Sequence, residues 1–241
     1  MAIKPILFNT EMVQAILRGD KTTTRRAIKP QPENCMNDEL CGLNSDGTYS
    51  LHVAKHLGGV FFDADKRIVP PYHPGDVLWV RETWSTHYTA ESNGELVYCY
   101  KADGEDLQSE CLPGENNRWN PSIHMPKAAA RIFLRVKSVR AERLQNGFTQ
   151  ESPVFALQKE GIDIGDQCRK CIDDYGCPCC CDNDGECGSL DDVRSNFADL
   201  WNSTIKKTDL PLYGWAANPW VWVIEFGRCE KPEGWCDNAT D

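Results

Sequence analysis

Gly19-Asp20-Lys21-Thr22-Thr23-Thr24-Arg25-Arg26 is the densest polar stretch in the N-terminal half of the chain. It directly follows a short amphipathic pattern in which Met12, Val13, Ile16 and Leu17 share a helical face, Thr10 reads as the N-cap and Gly19 as the stop. Three hydroxyls flanked by one ammonium and two guanidinium groups form a concentrated donor array, able to hold a phosphate, a carbonyl oxygen or a base edge. A threonine hydroxyl is a poor nucleophile unless a neighbouring base takes its proton. Lys21 can be that base if burial and the charges of Arg25 and Arg26 lower its pKa. A solvated basic loop has the same composition, and a short K-x-x-T spacing does not separate the two.

Working outward, residues 3–8 read as a strand whose Pro5 marks an edge or strand start. Residues 30–72 read as an excursion with Pro30, Pro32, scattered Asn and Gly, and no sustained periodicity. Pro74-Gly75-Asp76 is a turn signal before the strand Val77-Leu78-Trp79-Val80-Arg81, and residues 96–100 read as a second strand. Residues 103–122 again look like loop. A long β-rich segment follows at 128–144, with Ile132, Leu134, Val136 and Val139 in near alternation. Helices are expected at 151–160, stopped at Gly161, and at 190–205, with Val193, Phe197, Leu200 and Trp201 on one face. Residues 220–226 close the fold as an apolar strand. Strands and helices do not alternate regularly, so the pattern predicts an α+β fold, a small barrel or curled sheet with flanking helices, and excludes a doubly wound sheet. One domain is expected over residues 1–229, followed by a polar tail at 230–241.

The chain has 241 residues, 41% apolar and 26% charged, enough to bury a core without covalent staples. No apolar run of membrane-spanning length and no leader pattern occurs, so the expected location is the cytoplasm, that of the host if a phage encodes the chain. The net charge of −10 argues against a general nucleic-acid coat. Its distribution is uneven: residues 163–199 carry ten acids and three bases, residues 18–29 five bases and one acid, and residues 126–143 six bases and one acid. Two basic stretches on an acidic chain point to a local anionic ligand.

Gly19-x-Lys21-x-x-Thr24-x-Arg26 resembles the signature loop of the ASCH superfamily (activating-signal-cointegrator homology), whose fold is a PUA-like β-barrel. Further segments resemble its phage and prophage branch: Phe8-Asn9-Thr10, Pro74-Gly75-Asp76-x-x-Trp79-Val80-Arg81-Glu82-x-Trp84, Trp119-x-Pro121-Ser122-x-His124-Met125-Pro126, Glu160-Gly161-Ile162 and Asn218-Pro219-Trp220-Val221-Trp222. The likeness runs in order over most of the chain. It implies RNA or modified-base binding, or hydrolysis of N-acetylcytidine as in small bacterial members. Carried over, Lys21 would deprotonate Thr24, Thr24 would attack the amide carbonyl, and Glu160 would orient the lysine or protonate the leaving amine. Glu82 is the alternative acid. Arg25, Arg26, Arg81, Glu82, Trp84, Trp119 and His124 are the expected ligand contacts, the tryptophans as base-stacking platforms. Core packing is the stronger account of aromatics in alternating strands, which leaves Trp84 and Trp119 as the better stacking candidates, and a lone histidine is often only hydrogen-bonded. Insertions at 30–72 and 103–122 lengthen the chain beyond the minimal enzymes. Two rivals share these residues: a non-catalytic RNA or modified-base reader, and a phage accessory or assembly protein acting through protein contacts.

Seven of the thirteen cysteines fall between Cys168 and Cys187, inside a predicted insertion at 163–189. Cys168-x-x-Cys171 has zinc-knuckle spacing, and Cys177, Cys179, Cys180, Cys181 and Cys187 offer further thiolates. The expected cofactor is a structural Zn2+ held by Cys168, Cys171 and two of the other five.

Overall fold

The computed structural model describes residues 1–32, 41–43, 49–57, 60–88, 96–104, 118–146, 153–162 and 190–235. It is a mixed α+β protein. Strands are β1 (Ile3–Leu7), β2 (Thr23–Ala27), β3 (Cys41–Leu43), β4 (Tyr49–Leu57), β5 (Val60–Ile68), β6 (Val77–Arg81), β7 (Trp84–Tyr88), β8 (Leu96–Tyr100), β9 (Phe133–Arg143) and β10 (Trp220–Cys229). Helices are α1 (Thr10–Arg18), α2 (Pro153–Lys159), α3 (Leu190–Ser203) and α4 (Leu210–Tyr213). The main sheet runs β1-β6-β9-β10-β2; β3-β4-β5 form a three-stranded sheet and β7-β8 a hairpin. Among the described residues the main sheet is open, with β1 and β2 at its edges.

The chain groups into two compact units where the sequence reads as one. The first holds Met1–Gly19, Pro74–Val136 and Phe226–Asp241, the second Asp20–His73 and Lys137–Glu225. In the first, β1 pairs parallel with β6 and β6 antiparallel with β9. Pro5 sits on the edge strand, where its missing N–H breaks no ladder. The Pro74-Gly75-Asp76 turn is as expected: Gly75 takes φ +89°, and the Asp76 carboxylate accepts from the Ala2 amide at 2.8 Å and pairs with Lys4 at 3.3 Å. The core combines Val77, Trp79, Met125, Ala129, Ala130 and Phe133, all buried. Beyond residue 229, where the sequence reads as a polar tail, the Trp235 ring packs 5.8 Å from Trp79 and 5.1 Å from Phe133. An indole gains too much from burial to stay in a polar tail when an apolar wall lies within reach.

In the second unit β10 pairs antiparallel with β2, and Val221, Trp222, Val223 and Ile224 are fully or nearly buried, as their unbroken apolar run predicts. Phe197 and Trp201 of α3 are buried too, and the Trp201 indole donates to the Tyr213 carbonyl at 2.8 Å. Residues read as a loop excursion contain the nine-residue antiparallel pair β4 and β5, in register from Tyr49↔Ile68 to Leu57↔Val60. Two further corrections are local. Asn9, not Thr10, caps α1: its Oδ1 accepts from the Met12 amide at 2.9 Å. Thr23 to Arg26, read as loop, lie in β2, a conformation that the β-branched Thr23 and Thr24 favour. No helix among the described residues is long and apolar enough to cross a membrane.

Candidate functional site

The end of α2 builds the site. Gly161 takes φ +83°, a conformation that suits glycine, and its amide donates to the Gln158 carbonyl at 2.7 Å, ending the helix. Termination leaves the Glu160 carbonyl without a helical donor. Lys21 fills that role: its Nζ donates to the Glu160 carbonyl at 2.5 Å, to the Thr23 carbonyl at 2.8 Å, and lies 3.3 Å from Glu160 Oε2. The Thr22 amide donates to the Lys159 carbonyl at 2.9 Å, fixing the chain just before β2 against the same helix end.

Lys21, Thr24, Arg25 and Glu160 are 4%, 3%, 5% and 3% exposed. Charges so deeply buried persist only when paired and hydrogen-bonded. Here they alternate in sign. Arg25 donates through Nη1 to Glu160 Oε1 and through Nη2 to Glu142 Oε1 at 3.0 Å. Arg140 Nε reaches Glu142 Oε2 at 3.0 Å, and its Nη1 reaches Glu225. The line Lys21–Glu160–Arg25–Glu142–Arg140–Glu225 thus runs from the buried amine to side chains nearly half exposed.

Burial pulls the Lys21 pKa down from 10.5 to about 8; Glu160 opposes the fall, while Arg26 and Arg25 add to it. Burial also lowers Arg26, against the pull of Tyr72 and Glu160, and raises the Tyr72 phenol. Register places Thr24 opposite Ile224 and Arg26 opposite Trp222, so Thr24 and Arg26 share one face of β2 and Thr23 and Arg25 the other.

The remaining expected contacts belong to the first unit. Glu82 is 1% exposed, and Arg131 grips both its oxygens, Nε to Oε1 at 3.0 Å and Nη2 to Oε2 at 2.9 Å. Arg131 also reaches Asp103 at 2.6 Å and stacks 3.8 Å from the centre of the Tyr100 ring. Burial raises the Glu82 pKa against the opposing pull of Arg131, and pushes the Tyr100 phenol up to about 12. Arg81 donates to the Ile123 carbonyl and lies over Trp79. Trp84 packs 5.9 Å from Tyr98 within the core cluster, its backbone bridged to Asn120, while Trp119 is partly buried and His124 exposed.

Of the two candidate acids, the one that Lys21 touches is therefore Glu160. Glu142, Arg140, Glu225 and Tyr72 extend the site and do not stand out in the sequence. Arg140 and Glu142 two apart on one strand, hence on one face, were the available signal. Cys168, Cys171, Cys177, Cys179, Cys180, Cys181 and Cys187 lie outside the described residues. Among the described residues no group of three or more His, Cys, Asp and Glu could hold a metal, and Cys229 is a free thiol. No family model matches the chain, and comparison with curated proteins and with solved structures found no match.

Proposed function

We propose that the Lys21 cluster is an amidohydrolase site for a pyrimidine nucleoside, free or in RNA, acylated on its exocyclic amine, carried on an ASCH-type PUA-like barrel. The observation that carries this reading is the buried Lys21–Glu160 pair, with Thr24, three residues along the chain from Lys21, buried as well. An amine with a pKa near 8 is neutral in a useful fraction of molecules at pH 7 to 8. Neutral Lys21 takes the Thr24 hydroxyl proton as Oγ1 bonds to the acyl carbon. Arg26, on the same strand face, steadies the oxyanion. The C–N bond then breaks, the Lys21 proton passes to the leaving amine, and water hydrolyses acyl-Thr24 to free carboxylate and restored hydroxyl. Glu160 and Arg25 hold the lysine in place. The cysteine spacing supports a zinc-stapled insertion in the same protein, which metal analysis of the freshly reduced chain tests directly.

The test is release of carboxylate from a panel of N-acylated cytidines and their RNA forms, with Thr24→Val and Lys21→Met beside the parent. Turnover lost in both variants with the fold intact supports the reading; no turnover on any acylated substrate overturns it. A second reading, a non-catalytic reader of the same ligand, is favoured by one detail: three acceptors match all three N–H groups of protonated Lys21. It predicts binding without turnover, weakened by salt when the ligand is RNA.

A further inference from the structure

A cavity of about 450 Å³ opens in the second unit, lined by Gln145, Arg194, Ser195, Ala198 and Trp215. None of the residues of the Lys21 cluster lines it. The volume lies within the range of small-molecule sites. Among the described residues its lining offers one guanidinium, one amide, one hydroxyl and one indole, and no carboxylate.

Arg194 is the charged member among the described lining residues. Its Nε is buried and meets no acceptor. The buried Nε atoms of Arg25 and Arg81 share this state, yet Arg25 answers Glu160 and Glu142 through Nη1 and Nη2, and Arg81 answers the Ile123 carbonyl through Nη2. An unmet buried N–H on a cation is costly, and an oxyanion is the natural group to satisfy it. The surrounding wall is braced. Gln145 donates through Nε2 to the Trp215 carbonyl at 2.8 Å, and its own amide donates to Asn218 Oδ1 at 2.8 Å. The Asn202 side chain accepts from the Trp215 amide at 2.9 Å, and the Trp215 ring meets Phe197 edge-on at 5.8 Å. Trp215 is thus held through its backbone and by an aromatic contact, and it lines the hollow. Ala198 adds only a methyl group to the lining.

We infer that this cavity binds a mononucleotide-sized phosphate ester, with Arg194 on the phosphate and the Trp215 ring against the base. Guanidinium suits the oxygens of a phosphate in a fork geometry, and an indole face accepts any nucleobase. The ligand can be a free nucleotide or one unit of a single-stranded chain; both present the same phosphate and ring. The site is separate from the Lys21 cluster and does not rest on its chemistry.

Calorimetric titration of the full chain with cytidine 5′-monophosphate, cytidine, inorganic phosphate and a short single-stranded oligonucleotide tests this. The monophosphate should bind at least about tenfold more tightly than cytidine or inorganic phosphate, since each lacks half of the contacts. Arg194→Gln should weaken it by about tenfold or more, and Ala198→Leu, which fills the hollow and keeps the charge, should weaken it as strongly. Both variants are checked by circular dichroism, and Thr24→Val should bind the monophosphate like the parent. An oligonucleotide that binds more tightly and still depends on Arg194 identifies the chain as the source, and equal affinity identifies the free nucleotide. Absence of monophosphate binding by the parent, or binding indifferent to both Arg194→Gln and Ala198→Leu, overturns the inference.

Discussion

Glu160 in the second unit and Glu82 in the first are both carboxylates at most 3% exposed, and both are gripped by an arginine. They differ in the remaining partner. Both oxygens of Glu82 go to one guanidinium, whose other end is taken by Asp103 and the face of Tyr100. Glu160 divides its oxygens between Arg25 and Lys21. Arginine does not release a proton in this range, whereas a buried lysine does. The first arrangement is a staple. The second contains a group that can change its charge near neutral pH, and that single substitution of cation separates a structural pair from a candidate chemical one.

The sharpest way to break this comparison is turnover. On an N-acylated cytidine, Lys21→Met should lower kcat/KM by about a thousandfold or more, since both the base and the proton donor to the leaving amine are lost. Glu82→Gln, measured alongside, should leave kcat/KM essentially unchanged. Equal losses in the two would erase the distinction.

Stability should rank the two the other way. Arg131→Met leaves Glu82 buried without the cation that holds both its oxygens, and should cost about 3–5 kcal/mol in urea unfolding. Lys21→Met leaves Glu160 with Arg25, so its cost should be clearly smaller. Combining Glu82→Gln with Arg131→Met should recover part of the loss, as expected when the penalty lies in the stranded charge.

Next comes the pH dependence. Lys21 has a folded pKa near 8, below its unfolded value of 10.5, so between these values the unfolded chain binds more protons. Stability contributed by this group therefore rises with pH across that window, by on the order of 3 kcal/mol. Tyr100 works in the opposite sense: its folded value near 12 lies above the ordinary 10, so its contribution falls from pH 10 upward. The difference between parent and Lys21→Met unfolding curves, taken from pH 7 to pH 10.5, isolates the lysine. A flat difference would mean that Lys21 does not titrate there.

Much of this contrast is legible in the sequence, and the unread part has physical causes. The apolar runs of β6 and β10 and the helix of Phe197 and Trp201 follow from hydrophobic pattern, because burial dictates them. Lys21 and Thr24 stand out for their density of donors. The strand character of Thr23 to Arg26 is masked by that polarity: a strand covered on both faces normally reads as apolar, and here ion pairs replace the apolar contacts. Glu142 is marked only by its two-residue spacing from Arg140, and Glu225 not at all, because partner choice in a charge network depends on which strands lie side by side. The pair β4 and β5 was hidden by mixed charge, as its ladder is made of backbone groups that every sequence possesses.

The smallest expected effect compares two glycines. Asp103 and Glu160 each immediately precede a glycine in the left-handed region, Gly104 at φ +79° and Gly161 at φ +83°. Each glycine closes a helical turn through its amide, onto the Lys101 carbonyl at 3.2 Å and the Gln158 carbonyl at 2.7 Å. Alanine at either position should cost about 1 kcal/mol, because a Cβ disfavours that conformation. The consequences should then diverge. At Gly161 the strained turn carries the Glu160 carbonyl that holds Lys21, so Gly161→Ala should lower kcat beyond what its stability loss explains. At Gly104 the turn presents only Asp103 to an arginine that keeps its grip on Glu82, so Gly104→Ala should move the unfolding midpoint and leave kcat alone. A fall in kcat with Gly104→Ala as large as with Gly161→Ala would show that turnover tracks general stability rather than the seat of the lysine.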